Sequence, residues 1–254
     1  MNAQPAPVWR ETSEIPPVAS CEIQVWRIHL AGSPAEILRL QNVLSADEQS
    51  QAARFHFEHD QRRFVIRRAV RRQLLAVQLA TSPAMIQIES ANFQKPEIIN
   101  PENSNWLRFN CCHSADWALI ALTREREVGV DLEQHRPLPD AEDLARKIFS
   151  ADENRELTEL SPALKLQGFF NGWTRKEAFV KAIGMGLAYP LNRFSVALTP
   201  NRPAAILKVA DDSAALEKWS MIALPANPDY SAALVFAGKK SAVKFLEWNP
   251  QLAG

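Results

Sequence analysis

Two short stretches of this chain carry charged side chains at a spacing that suits metal and phosphate chemistry. In the later stretch, Glu177 lies four residues after Trp173 and four before Lys181, so a helix places all three on one face. About 40 residues earlier, Asp131 and Glu133 flank a single apolar residue, which is the alternation of a half-buried strand. Two carboxylates one pleat apart can converge on a hard cation such as Mg²⁺, which prefers oxygen ligands.

The elements that must position these side chains are a strand and a helix. Residues 128–133 read VGVDLE, and their apolar positions alternate with the others. Residues 169–187 read FFNGWTRKEAFVKAIGMGL, with apolar residues at helical spacing, and Gly184 and Gly186 follow the last apolar turn, where a left-handed cap ends a helix. Taken alone, the helix charges are also consistent with a solvated ion pair, and the strand carboxylates with an ordinary strand edge.

Together the two stretches resemble the paired signatures of the 4′-phosphopantetheinyl transferases. In that family a strand ending in G-[IV]-D-x-E is followed by W-x-x-K-E-[AS]-x-x-K and a G-x-G-L tail. The matching residues here are Gly129, Val130, Asp131, Leu132, Glu133, Trp173, Lys176, Glu177, Ala178, Lys181, Gly184, Gly186 and Leu187. The resemblance is to the longer, two-halved Sfp type. It implies transfer of the 4′-phosphopantetheine arm of coenzyme A to a serine of an apo acyl or peptidyl carrier protein, with release of adenosine 3′,5′-bisphosphate.

The resemblance also implies roles for the charged residues. Asp131, Glu133 and Glu177 would hold Mg²⁺, for which Mn²⁺ would substitute. Glu177 would remove the proton of the carrier serine, and Lys181 would neutralise charge on the leaving group. Lys176 and Lys181 are expected among the coenzyme A contacts. Two other classes stay open: another Mg²⁺-dependent nucleotide enzyme on the same fold, and a carrier-binding protein without activity.

Composition limits the partners of the chain. It has 254 residues, of which 46% are hydrophobic, and 29 basic side chains balance 29 acidic ones. This balance creates no global field that would attract nucleic acid or a membrane surface. No apolar run approaches 18 residues, no signal sequence is recognisable, and three cysteines do not make a disulfide framework. We expect a cytoplasmic protein that binds coenzyme A and a carrier protein, but neither nucleic acid nor a membrane.

An internal repeat predicts two related halves. Residues 45–48 read SADE and recur at 150–153, a shift of 105 residues, and each is a capping box that can start a helix. The same shift aligns apolar residues of a strand before each box and of a second helix after it. The predicted fold class is α+β, with two pseudo-symmetric halves, each an antiparallel sheet packed on a long helix, and the active site in the cleft between them. The predicted boundaries are a loosely ordered N-terminal arm at 1–20 and halves at 21–124 and 125–254, in a monomer.

A helix predicted over residues 60–79 carries six arginines. Its basic face is consistent with a solvated surface, a nucleic-acid patch or a phosphate site, and the neutral balance of the chain argues against nucleic acid. The resemblance implies that basic residues of this region hold the 3′-phosphate of coenzyme A. Alignment around Arg54, His56 and Asp60 ranks Arg63 first, then Arg54 and Arg72.

The segment at 93–96 resembles the G-K-P loop of the family, which lies beside the adenine. It reads FQKP, so Gln94 stands where glycine is usual, while Lys95 and Pro96 match. We therefore expect Lys95 and Pro96 to contact the coenzyme.

Residues 109–114 read FNCCHS, where the family has F-N-x-S-H-S. The resemblance implies that His113 donates to the pyrophosphate of coenzyme A, and that Cys112 offers a weak S–H donor in place of serine. From the residues alone, His113 is also consistent with a structural histidine. A zinc site is disfavoured because adjacent residues rarely supply tetrahedral ligands, and a cysteine nucleophile because its histidine normally comes from elsewhere in the fold.

Overall fold

The computed structural model describes residues 8–89, 95–101, 104–210, 212–239 and 241–252. The helices of these ranges are α1 (Pro34–Gln41), α2 (Ala46–Ala52), α3 (Glu58–Gln78), α4 (Ala141–Ile148), α5 (Ala151–Glu159), α6 (Pro162–Ile183) and α7 (Ala215–Lys218). The strands are β1 (Arg10–Glu11), β2 (Glu22–His29), β3 (Gln87–Glu89), β4 (Glu97–Asn100), β5 (Leu107–Ser114), β6 (Trp117–Arg124), β7 (Val128–Gln134), β8 (Phe194–Val196), β9 (Ile206–Val209), β10 (Trp219–Ala223), β11 (Tyr230–Ala237) and β12 (Ala242–Glu247). These elements confirm the predicted α+β class.

Two sheets pack face to face between two long helices. The first sheet has the strand order β1-β12-β2-β6-β5, and the second has the order β10-β11-β7. Apolar side chains of both sheets, among them Ile23, Val25, Val128 and Val130, form a shared core between them. Helix α3 packs on the outer face of the first sheet, and α6 packs on the outer face of the second. The layers therefore follow the order helix, sheet, sheet, helix.

The helix ends follow the predicted local signals. Ser45 and Ser150 each accept a hydrogen bond from the backbone N–H three residues later, and Glu48 and Glu153 accept one back from the capping serine. Helix α6 ends at Gly184, whose φ of 73° is the left-handed conformation that glycine adopts without strain. Within the described ranges, no helix is both long and apolar enough to cross a membrane.

The predicted repeat is visible in the element boundaries. A shift of 105 residues carries β2 onto β7, α2 onto α5 and α3 onto α6, and corresponding ends agree within two residues. The halves therefore use one succession of strand, capped short helix and long helix. In both halves the long helix lies on the face of its own strand.

The last strand of the chain belongs to the first sheet, although residues 125–254 were predicted as one half. Strand β12 lies between β1 and β2 in the first sheet and runs parallel to both. The first sheet is therefore mixed rather than antiparallel, and the second half ends before residue 242. Strand β12 extends the first sheet on the side of β2 that β6 leaves open.

The N-terminal arm predicted at 1–20 is anchored where the structure describes it. Residues 1–7 lie outside the described ranges. The indole Nε1 of Trp9 donates to the carbonyl of Pro225 at 2.8 Å, and the N–H of Val18 donates to Oε1 of Gln78 at 2.8 Å. Val18 is buried in the core between α3 and the first sheet. Its apolar side chain therefore anchors a segment that its prolines had predicted to be loosely ordered.

The halves meet where two edge strands, β5 and β7, lie side by side. Oδ1 of Asn110 accepts the N–H of Val130 at 2.9 Å, and Oγ of Ser114 accepts the N–H of Gln134 at 3.0 Å. Side chains of β5 thus satisfy backbone donors of β7 that no ladder partner reaches. The candidate site lies along this junction.

Candidate active site

Strand β7 passes very close to α6, and a glycine makes this approach sterically allowed. A Cβ atom on Gly129 would lie 2.1 Å from the carbonyl oxygen of Ala178 and 2.4 Å from the nitrogen of Ala182. Both are backbone atoms that cannot move aside, so the position requires glycine. The close contact places Asp131, two residues further along β7, against the last turns of α6.

Asp131 is the centre of the charged group. Its side chain is buried, with 4% of the residue exposed, and Oδ1 accepts a hydrogen bond from Nζ of Lys181 at 2.6 Å. Burial raises the pKa of Asp131 to about 7, and the negative charges of Glu133 and Glu177 raise it further. The positive charge of Lys181 acts in the opposite direction. Burial and Glu133 also raise the pKa of Glu177. Burial alone would lower the pKa of Lys181, but Asp131 and Glu177 raise it above its ordinary value.

The predicted metal ligands Asp131, Glu133 and Glu177 fit a divalent cation by their chemistry. Oδ2 of Asp131 is buried and has no hydrogen-bond partner among the described residues, which is rare for a charged oxygen. The described residues hold no ready-made cluster of three metal-binding side chains. Lys181 instead contacts one oxygen of Asp131, and the hydroxyl of Ser114 contacts Oε2 of Glu133 at 3.0 Å. An all-carboxylate set suits Mg²⁺, which keeps waters and phosphates in its remaining positions.

His113 lies on the opposite face of β5, toward α3. It lines a pocket of about 200 Å³ with Arg63 and Arg67. Nη1 of Arg67 lies 3.3 Å from Nδ1 of His113. Because a guanidinium group can only donate, Nδ1 accepts and the ring proton sits on Nε2. Partial burial, Arg67 and Lys181 lower the pKa of His113 to about 4, so the neutral ring offers an N–H among cationic groups.

The sequence indicated a possible phosphate site on α3, but the ranking of coenzyme contacts left out Arg67, Arg68 and Arg71. The Nε atoms of Arg67, Arg68 and Arg71 are buried and have no hydrogen-bond partner among the described residues. Burial, Arg71 and Arg67 lower the pKa of Arg68 to about 10, and Glu48 opposes them. Arg68 and Arg71 already pair with Glu48, at 3.9 and 2.9 Å, whereas Arg67 lines the His113 pocket and is suited to bind an anion there. The signal that could have found it is the four-residue spacing of Arg63, Arg67 and Arg71, which puts them on one helical face.

Two predicted coenzyme contacts, Arg72 and Lys176, form buried ion pairs within the fold. Arg72 donates through Nε to Oε2 of Glu48 at 2.5 Å and through Nη1 to two backbone carbonyls. Lys176 is fully buried, and its Nζ donates to Oε2 of Glu153 at 2.8 Å and to two backbone carbonyls. These helix positions face the acid of the preceding capping box, so the donors of both side chains already have partners within the fold.

Arg54 and Lys95 lie away from the His113 pocket. Arg54 is exposed on the turn before α3 and is not part of the pocket lining. Nζ of Lys95 is 2.8 Å from Oε2 of Glu127, and burial lowers the pKa of Lys95. Lys95 and Pro96 line a second, smaller pocket. Gln94, the predicted departure from the family loop, lies outside the described residues.

Cys112 is buried between the two sheets, on the face of β5 opposite His113. Burial raises the pKa of its thiol well above the ordinary value, and Lys181 and Asp131 are close enough to influence it. The thiol therefore lies beside the carboxylate group rather than in the pocket that His113 lines. Its predicted contact with the coenzyme stays a prediction.

Comparison with known proteins covers both halves of the chain. The model of the 4′-phosphopantetheinyl transferase superfamily matches residues 127–235, and that of the 4′-phosphopantetheinyl transferase N-terminal domain matches residues 30–125. The chain is 34% identical over 219 residues to the 4′-phosphopantetheinyl transferase HetI of Nostoc, an alignment that covers 86% of this chain and 89% of HetI. It is 34% identical over 186 residues to a putative 4′-phosphopantetheinyl transferase of Synechocystis, an alignment that covers 73% of each chain.

The solved structure of Thermotoga maritima holo-[acyl-carrier-protein] synthase aligns with 45% of this chain and 64% of its own, at 24% identity and a TM-score of 0.35. Because the two family matches and the HetI alignment span most of the sequence, the chain belongs to the 4′-phosphopantetheinyl transferase superfamily.

Proposed function

We propose that this protein transfers the 4′-phosphopantetheine arm of coenzyme A to a serine of an apo carrier protein, with Mg²⁺ held by Asp131, Glu133 and Glu177. The transferase class follows from the family, whereas the metal and the residue roles are our proposal. The observation that carries it is the arrangement around β5, with carboxylates on the β7 side and a cationic pocket on the α3 side. One substrate with a pyrophosphate and a 3′-phosphate can contact both sides. Both sides come from one chain, which supports action as a monomer.

Glu177 is suited to accept the proton of the carrier serine. Its raised pKa makes the carboxylate a stronger base than an exposed glutamate. As the serine oxygen bonds to the phosphorus that carries the pantetheine arm, the bond from that phosphorus to the bridging oxygen of the pyrophosphate breaks. The side chain of Lys181 is 29% exposed, so it can leave Asp131 and place its ammonium group against the departing oxygen.

The cationic pocket would hold the coenzyme before transfer. The Nε2–H of His113 would donate to the pyrophosphate, and Arg63 and Arg67 would pair with the 3′-phosphate. Arg63 now pairs with Asp116 at 2.6 Å, and this partly exposed pair can exchange for a phosphate. Mg²⁺, or Mn²⁺ in its place, would offset the charge of the pyrophosphate oxygens when bound.

The test is incubation of the protein with coenzyme A, Mg²⁺ and a panel of apo acyl and peptidyl carrier proteins, followed by intact mass measurement. We expect at least one carrier to gain a single phosphopantetheine, with equimolar release of adenosine 3′,5′-bisphosphate. Asp131→Asn keeps the shape of the side chain but removes its charge, and we expect it to abolish transfer without lowering the melting temperature greatly. Asp47→Asn changes an exposed carboxylate of α2 and serves as the control.

The remaining outcomes decide between the alternatives. Normal transfer by Asp131→Asn at ordinary Mg²⁺ concentrations would show that the metal assignment is wrong. Breakdown of coenzyme A without modification of any carrier would favour another nucleotide enzyme on this fold. Carrier binding without transfer would favour a non-catalytic homologue.

A further inference from the structure

Ser114 occupies a rigid position at the junction of the two halves. It is the last residue of β5 and pairs with Trp117 across the hairpin to β6. The turn between them has two residues, and Ala115 within it has a φ of 47°. Regular strands on both sides of this tight turn fix the backbone from which the hydroxyl projects.

The hydrogen bonds of Ser114 determine where its single proton goes. The backbone N–H of Gln134 donates to Oγ at 3.0 Å, so at this contact the oxygen must accept. Oε2 of Glu133 lies 3.0 Å from the same Oγ, and a carboxylate can only accept. The hydroxyl proton therefore points at Glu133. Among the described residues, Ser114 is the side chain that donates a hydrogen bond to Glu133.

A second bond of the same kind frames the carboxylates. Asn110, four residues before Ser114 on β5, accepts the N–H of Val130 at 2.9 Å, four residues before Gln134 on β7. The two bonds lie on either side of Asp131 and Glu133. Asn110 contacts only backbone there, whereas Ser114 contacts both the backbone and a proposed metal ligand. The junction thus fixes β7 at two points, and at one of them it also fixes a carboxylate.

We infer that Ser114 is a positioning residue for the metal site: its hydroxyl orients the carboxylate of Glu133 for the cation. This inference rests on the proposed function. A hydrogen bond that fixes one oxygen of a ligating carboxylate leaves the other oxygen free and removes the freedom of the side chain to turn away. The rival interpretation is that Ser114 only joins the strands and that its contact with Glu133 has no effect on metal binding.

The experiment measures Mn²⁺ binding directly, by the loss of the free-ion electron paramagnetic resonance signal in the presence of coenzyme A. We expect Ser114→Ala to raise the Mn²⁺ dissociation constant by about 10-fold or more, the range for loss of a residue that orients a metal ligand. Turnover should recover at high Mg²⁺. Ser114→Thr keeps the hydroxyl and should bind Mn²⁺ within about twofold of wild type.

Thr123→Val is the matched control. It removes a buried hydroxyl that donates to the carbonyl of Glu22 at 3.0 Å on the neighbouring strand, away from the carboxylates. We expect it to lower the melting temperature and leave Mn²⁺ binding unchanged. If Ser114→Ala does not fold, Ser114→Cys supplies the same comparison, because a thiol is a weak donor of similar shape.

Two results would overturn the inference while leaving the proposed function intact: wild-type Mn²⁺ affinity in Ser114→Ala despite a lower melting temperature, or equal losses in the Ala and Thr variants. If the wild-type protein itself binds no Mn²⁺ with coenzyme A present, the proposed metal site fails, and the inference fails with it.

Discussion

The two halves of the molecule share the same succession of strand, short helix and long helix. In each half, a buried ion pair joins the short helix to the long one. In the first half, the capping residue Glu48 accepts hydrogen bonds from Arg71 at 2.9 Å and from Arg72 at 2.5 Å. In the second half, Glu153 accepts one from Lys176 at 2.8 Å. The shift of 105 residues places Glu48 on Glu153 and Arg71 on Lys176. In both halves the acid that caps the short helix therefore also holds the long helix.

The halves differ in the residue types at equivalent positions of their strand and their long helix. The corresponding pairs are Trp26 and Asp131, Ile28 and Glu133, and Ala76 and Lys181. The three residues of the first half are all buried in its core. Strand β2 lies inside a five-stranded sheet, whereas β7 is an edge strand beside the hairpin that carries Ser114. The same positions thus form a core in the first half and the candidate site in the second, where β7 is an edge strand.

The charges of the two halves are also complementary. The long helix of the first half contributes a cluster of arginines, and the strand and helix of the second half contribute carboxylates and one lysine. Strand β5 lies between the two groups. His113 contacts Arg67, and Ser114, which also lines the His113 pocket, contacts Glu133. The proposed phosphate-rich substrate with a divalent cation would contact both groups.

The largest expected effect tests whether the buried pairs are equivalent. Glu153→Gln would leave Lys176 buried without a counter-charge, and we expect it to lower the free energy of unfolding by about 3–5 kcal/mol. Glu48→Gln would leave Arg71 and Arg72 without their buried counter-charge, and we expect a loss of similar size. Urea denaturation measures both, with exposed Glu159→Gln as the control. Losses below about 1 kcal/mol for Glu153→Gln would contradict a role in holding α6, since that is the size of an exposed pair.

The next effect separates Glu177 from Lys181 at the site of the second half. Glu177→Gln should lower kcat by roughly 10²-fold or more and weaken Mg²⁺ activation, as expected for a lost base and ligand. Lys181→Ala should also lower kcat, but it should leave Mg²⁺ binding at least as tight, because Nζ now contacts Oδ1 of Asp131 at 2.6 Å. The measurement is kcat against Mg²⁺ concentration. Near-normal kcat in both variants, with only about 0.3–0.5 kcal/mol lost in stability, would mean that the pair is structural.

A smaller effect concerns the approach of strand and helix. Gly129→Ala would force a methyl group into backbone atoms of α6, and we expect a loss of about 1–3 kcal/mol together with reduced turnover. The equivalent residue of the first half is Gln24, whose side chain donates to the carbonyls of Pro16 and Pro17 instead of meeting a helix. Gly32→Ala is the control, because its nearest neighbour would be 3.4 Å away. Thermal unfolding compares the two, and equal stability would show that α6 can move away from β7.

The smallest effect is a change in the titration of His113. The pKa lies at about 4 instead of 6.5, so the unfolded chain binds more protons between these values. This group therefore lowers the stability as the pH falls from about 6.5 to about 4. Arg67→Gln removes a neighbouring charge and should raise the pKa, which ring-proton NMR measures against pH. Arg62→Gln, on the same helix beside Glu58, is the control, and an unchanged pKa in Arg67→Gln would rule out the charge as a cause.

Local features could be predicted from the sequence because their causes lie within a few residues. Each capping box needs only a serine and the glutamate three residues later, and the end of α6 needs only Gly184 in a left-handed conformation. Periodicity placed the two strand carboxylates on one face and Glu177 with Lys181 on another. The repeat and the family resemblance then indicated that these faces meet.

Tertiary structure alone decided what each face meets. Helical spacing could not show that Arg72 and Lys176 turn toward capping acids, or that Arg67 lies against His113, because those partners come from distant segments. Likewise, both β2 of the first sheet and β10 of the second have a side open to a further strand, and only the folded chain shows that β12 pairs with β2. The contact between Lys181 and Asp131 arises because Gly129 lets backbone approach backbone, and this distance is a property of packed elements rather than of sequence spacing.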